Sequence, residues 1–299
     1  RVLFRSEKRF DATGFFRTHQ ESGRWWLVDP EGFAFYSLGV DCVRPGDAMR
    51  VTGNEPLCGP LPSREGPFAD AWAERYGSWE GDLYDSATAN LIRVFGAGWL
   101  DAWKDIARAN LRSWGFNTVG NWSHPDFTAW SGLPYVHPMT DFPTTTQRIF
   151  RDFPDVFSPE YKAAAERFAA QMAPLSNDRN LIGYFLRNEP EWAFIKNLDI
   201  AEELLESTAM LDSREAFVRY LADQYLGEID RLNEAWGSSF SSFDDFHSPI
   251  RKARSFPGSA ADLTTFSRML IDRYVRIPSM AVRAVDPNHR SEERRVGKE

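Results

Sequence analysis

The chain has little of what builds metal centres, membrane spans or nucleic-acid surfaces. It has two cysteines, Cys42 and Cys58, and five histidines in 299 residues. No His/Cys cluster stands at metal-ligand spacing, so no metal and no other cofactor is expected. Two thiols fit one disulfide or two reduced side chains equally well, which leaves the compartment open. No run approaches the ~18 apolar residues that a bilayer span needs. No basic run occurs and the net charge is −8, so neither a nucleic acid nor an anionic membrane is an expected partner. No repeat or low-complexity tract marks a second domain.

What is present is a large supply of core. Hydrophobic residues make up 42% of the chain, with 11 Trp and 23 Phe. The two ends read differently from the rest. Residues 290–299, RSEERRVGKE, and residues 1–6, RVLFRS, read like in-frame translations of sequencing-library adapters. Both are set aside as non-native. Residues 7–289 then carry 29 basic and 40 acidic side chains, a net charge of −11.

The organising stretch is NLIGYFLRNEPEW, residues 180–192. Its apolar run, 181–186, is too short for a free helix and suits a parallel strand buried on both faces. Arg187, Asn188, Glu189 and Pro190 then stand at the carboxyl end, where α/β enzymes hold catalytic groups. A solvated Asn-Glu turn is the plainer alternative. Upstream, residues 10–43 read as three strands turned at Ser22-Gly23 and Glu31-Gly32. The first two form an antiparallel flap, and 33–40 is read as one parallel strand delivering Asp41. Asp41 is as readily a turn residue as a substrate contact. Residues 44–80 read as a long irregular loop rich in Gly and Pro.

Residues 84–114 are helical in pattern, with Gly115 as the stop. A second strand, 116–121, follows and presents Asn121 and Trp122. Residues 133–140 form a weaker third strand with His137 near its end. Residues 159–174 form a helix opening on Pro and Glu. Residues 199–227 split into two helices at Asp212-Ser213, read as an N-cap pair. Residues 260–285 form one long helix bent at Pro278, and 286–289 exit toward a further strand.

Asn-Glu-Pro at a strand end resembles the acid/base signature of the retaining (β/α)8 glycoside hydrolases. LRSWGFNTVGNWS and LNEAWGSSFSSFDDF resemble segments of its β-agarase-like and β-galactosidase-like members. The resemblance implies an α/β fold, a (β/α)8 TIM barrel truncated after about four strands, near 33–40, 116–121, 135–139 and 181–187. Residues 7–32 would be the flap and 33–289 the partial catalytic domain. It implies Glu189 as acid/base, with Asn188 binding the sugar hydroxyl beside the reacting carbon. Asn121, Trp122, Asp41, His137 and Trp192 are the candidate sugar contacts.

Retaining hydrolysis needs a second carboxylate ~5–5.5 Å from the first, to attack the anomeric carbon. The resemblance puts that nucleophile at the seventh strand, beyond His289, so the fragment by itself is expected to be inactive. The expected partner is an oligo- or polysaccharide with β-galactosidic bonds, of agarose or another galactan, which favours secretion or the periplasm. The oligomeric state is left open. The alternatives are a carbohydrate-binding barrel without catalysis, and an unrelated barrel enzyme using Glu189 as a metal ligand or proton carrier.

Overall fold

The computed structural model describes residues 5–76 and 79–291. Of the end segments set aside above, only residues 5–6 and 290–291 fall among them. The chain divides into two units, 1–137 with 179–182, and 138–178 with 183–299.

The first unit begins with β1 (Arg5–Arg9), β2 (Arg17–Glu21), β3 (Arg24–Val28) and β4 (Phe33–Phe35), in the antiparallel order β1-β4-β3-β2. The expected hairpin is present, with Glu21 opposite Arg24 across a two-residue loop. Ser22 at φ 51° and Gly23 at φ 75° give that loop the doubly positive backbone of a type I′ turn, whose hand matches strand twist.

Residues 33–40 are not one strand. Phe33–Phe35 stays with the flap, and a separate β5 (Gly39–Val40) runs parallel to β9 (Thr118–Val119). Asn117 explains the break. Its Oδ1 accepts the Leu38 N–H at 2.9 Å and its Nδ2 donates to the Tyr36 carbonyl at 2.9 Å. One buried amide thus satisfies the backbone that leaves one ladder and enters the other. At Gly39 a Cβ would collide with the Thr118 carbonyl, so only glycine lets β5 and β9 come this close. β10 (Tyr135–Pro138) lies parallel on the other side of β9, with Tyr135 opposite Val119.

Residues 44–80 are not the irregular loop expected. They hold β6 (Met49–Arg50) and β7 (Trp72–Tyr76), which join β8 (Trp79–Tyr84) in an antiparallel sheet ordered β6-β8-β7. The sheet has its own core of Val51, Ala71, Tyr84 and Ile92, which hid it among the glycines and prolines. α1 (Ser86–Phe95) is capped by Asp85, which accepts from Ala87 N and Thr88 N. α2 (Trp99–Ser113) ends just before Gly115 at φ 84°, the stop expected. A short α3 (Pro125–Ser131) had no counterpart in the sequence reading.

In the second unit a hairpin of β11 (Arg148–Phe150) and β12 (Phe153–Pro154) precedes α4 (Pro159–Ala170), capped by the Ser158 hydroxyl. β13 (Leu181–Phe185) is the expected central strand; each of its residues is buried or half-buried. Residues 181–182 of this strand belong to the first unit and 183–185 to the second. Gly183 and Tyr184 pair in parallel with β14 (Arg290–Ser291), two residues of the end segment set aside above, so the strand expected after 286–289 is not tested by this pairing.

α5 (Ile200–Glu206), α6 (Asp212–Gln224), α7 (Ile229–Trp236) and α8 (Ala260–Val285) surround a core of Tyr161, Phe217, Trp236, Phe246 and Phe266. The α5–α6 split is where it was read, but Asp212-Ser213 is not the cap. Asp155, buried in a preceding loop, accepts from Asp212 N at 2.6 Å and from Ser213 N at 2.9 Å. α8 runs through Pro278 without interruption. Proline has no N–H for the Tyr274 carbonyl four residues earlier. The Tyr161 hydroxyl donates to that carbonyl instead, at 2.7 Å, which anchors α4 to α8. Among the described residues no helix is long and apolar enough to cross a membrane.

Candidate active site

The exits of the parallel strands are conformationally strained. Among the described residues nine non-glycines have positive φ, and four stand two to four residues past the ends of these strands. Cys42 (57°) follows β5, Trp122 (56°) β9, Asp141 (55°) β10 and Glu189 (41°) β13. Each such residue costs about 1–3 kcal/mol and persists only where its surroundings over-determine it; such residues cluster at functional sites.

In the first unit hydrogen bonds between the two exits fix them. Asp41 Oδ1 accepts from Asn121 N at 2.8 Å, and Cys42 N donates back to the Asn121 carbonyl at 2.8 Å. Ser123 Oγ accepts from Val43 N at 3.0 Å, and His124 N donates to the Val43 carbonyl at 2.9 Å. Gly120 sits against this cluster so closely that a Cβ would collide with the Asp41 carboxylate. Asp41 and Asn121 are thus brought together, with Asp41 bracing the loop that carries Asn121. The Asn121 side-chain oxygen is buried and has no hydrogen-bond partner among the described residues. Most buried polar atoms are hydrogen-bonded, so this acceptor is an exception in the first unit. Trp122 is 42% exposed. His137 is half-buried on β10, and burial holds its pKa below the ordinary imidazole value, so the ring is neutral at neutral pH.

In the second unit Asn188 and Glu189 are exposed beyond the end of β13. No described residue hydrogen-bonds the Glu189 carboxyl. Its neighbours, by contrast, are held. Arg187 pairs with Asp152, Nη2 to Oδ2 at 2.5 Å, and its guanidinium lies 5.4 Å from the Phe142 ring centre. Asp152 also accepts from Glu191 N and Trp192 N, each at 3.1 Å. Asp152, Arg187, Phe142 and Arg167 line an open cleft of about 780 Å³. Trp192, read as a sugar-stacking residue, packs edge-on against Phe153 (5.2 Å) and Tyr274 (5.4 Å). It belongs to the core of this unit, and the exposed aromatic of its short turn is Phe194, at 67%. The sequence reading missed Asp152. It sits in a hairpin too short to show alternation, and the only signal was a charged pair between two phenylalanines, FRDF.

Residues 132–293 match the family described as beta-galactosidase, glycoside hydrolase family 42. Beta-agarase B of Vibrio sp. (strain JT0107) is 27% identical over 94% of this chain and 33% of its own length. Beta-agarase A of the same strain is 28% identical over 89% of this chain and 30% of its own. The solved structure of an agarase, AgWH50C, shares the fold, with a TM-score of 0.79 at 24% identity over 94% of this chain and 45% of that one. The chain spans about a third of the length of the curated relatives it matches. The family match covers more than half of the chain and includes Asp152, Arg187, Asn188 and Glu189. The chain belongs to the beta-galactosidase family of glycoside hydrolases, family 42.

Proposed function

We propose that the chain is part of a retaining glycoside hydrolase that cleaves β-galactosidic bonds of an agarose-type galactan. One observation carries the reading: a carboxyl group without a hydrogen-bond partner among the described residues, Glu189, stands at a positive φ past the end of a buried parallel strand. A carboxyl group left unengaged can give a proton to a leaving oxygen and take one from water, whereas one bound to backbone N–H groups is held in its acceptor form. The two curated relatives that match most of the chain bear β-agarase names, which favours a galactan over other polysaccharides.

In this reading the parallel strands are the first half of a (β/α)8 barrel, 7–32 is its flap, and the end segments 1–6 and 290–299 are foreign to it. The nucleophile lies in sequence beyond His289. Asn188 binds the hydroxyl next to the reacting carbon, and Asn121, whose side-chain oxygen is buried without a partner among the described residues, is a further sugar contact of this reading. Trp122 supplies an exposed ring on which a sugar stacks.

The test uses the full-length reading frame and a neutral agaro-oligosaccharide, with the anomeric proton of the fresh product followed by NMR. Retention requires the β-anomer first, with the α-anomer appearing only as mutarotation proceeds. An α-anomer formed first contradicts a retaining mechanism. Binding of the oligosaccharide without any cleavage returns the protein to the class of non-catalytic sugar-binding barrels.

A further inference from the structure

We infer that Asp152 is a positioning residue for Glu189, acting on both flanks of the turn that carries it. The inference rests on the acid/base reading of Glu189. Asp152 lies at the tip of the β11–β12 hairpin, where Phe150 opposite Phe153 leaves only Arg151 and Asp152 to turn the chain. Its side chain is 17% exposed, and its partner Arg187 is 33% exposed. Oδ2 receives the Arg187 guanidinium and the Glu191 N–H, and Oδ1 receives the Trp192 N–H. One carboxylate therefore fastens the chain two residues before Glu189 and again two and three residues after it.

Between those anchors stand Asn188, Glu189 and Pro190. No described residue gives any of their side chains a hydrogen bond. Pro190, at φ −63°, has little freedom to relax. The anchors are themselves braced, Arg187 by the Phe142 ring and Trp192 by Phe153 and Tyr274. Glu189 thus holds its φ of 41° because its neighbours are tied, while its own carboxyl stays open. An aspartate is required for this. All three of its partners are donors, and an amide at 152 would turn its own N–H groups toward one of them. Misplacing a catalytic group by ~1 Å can cost about 100-fold in rate.

The test separates positioning of the acid from general damage by varying the leaving group. Asp152→Asn, Arg187→Lys and Glu189→Gln are made in the full-length protein, and circular dichroism and the melting midpoint check folding. kcat/KM, which reports the bond-breaking half of the reaction, is measured on two β-galactosides. One carries an alkyl alcohol that must be protonated to leave. The other carries a dinitrophenolate that leaves without a proton. Asp152→Asn is expected to lose about 10–100-fold on the alkyl galactoside and less than about 3-fold on the dinitrophenyl one. Arg187→Lys, which keeps the charge but not the fork, follows the same pattern and carries the test if Asp152→Asn fails to fold.

Equal losses on both substrates, or none, overturn the positioning role. If Glu189→Gln shows the leaving-group selectivity and Asp152→Asn does not, the positioning role alone falls. If Glu189→Gln loses nothing on the alkyl galactoside, the acid/base reading itself falls.

Discussion

In the first unit Asp41 turns its carboxylate back on the chain and takes the Asn121 N–H; in the second, Glu189 takes no hydrogen bond from any described residue, and the holding is done by Asp152. Both strand exits are strained, at φ 57° for Cys42 and 41° for Glu189. The difference is which carboxylate does the bracing. At the first exit the acidic residue nearest the strand end is the brace. At the second it is left open, and a residue from a distant hairpin supplies the brace. A carboxylate at a strand end is thus a candidate acid only when its oxygens are free, and the sequence alone does not say which case holds.

Substitutions can sharpen this contrast, and the largest effect on stability is expected where backbone meets backbone. Gly39→Ala drives a methyl group into the Thr118 carbonyl and should cost about 3 kcal/mol, read as a shift of the urea midpoint. Asp155→Ala follows. It strips the buried cap from the start of α6 and should cost about 2 kcal/mol. Asp41→Ala removes an exposed brace with one backbone bond and should cost about 1 kcal/mol, with faster hydrogen exchange at the Asn121 amide. If Asp41→Ala proved as costly as Asp155→Ala, the first exit would be a buried structural node, and the contrast with Glu189 would lose its basis.

A smaller effect concerns pH. Burial lowers the pKa of His137, and His124 shifts in the same direction for the same first reason. The unfolded chain therefore takes up these protons first, and stability falls as the pH drops below about 6.5 toward the folded-state values. His137→Gln should flatten that fall in a series of denaturation midpoints from pH 7.5 to 5. An unchanged slope would mean that other groups carry it.

The parts of the fold that announce themselves locally were legible in the sequence. Ser22-Gly23 made its turn, residues 181–185 made a buried or half-buried strand, and Gly115 ended its helix, because each depends on neighbours in the chain. What was hidden depends on distant groups. Asn117 splits 33–40 into two strands with hydrogen bonds to Tyr36 and Leu38. Asp155 displaces Asp212-Ser213 as the cap of α6, and Tyr161 takes over the carbonyl that Pro278 leaves. Asn188-Glu189 could be singled out from its strand and its resemblance, whereas Asp152 could not. Trp192 was read as a candidate sugar contact; it packs, partly buried, against Phe153 and Tyr274 at the core of the second unit.

The most direct measurement is Glu189→Gln in the full-length protein, with stability and turnover determined on the same preparation. An open carboxyl that serves as acid/base predicts an unfolding free energy changed by no more than about 0.5 kcal/mol. It predicts turnover of a natural galactan lower by about 100- to 10,000-fold. Turnover equal to that of the unsubstituted protein would contradict the account.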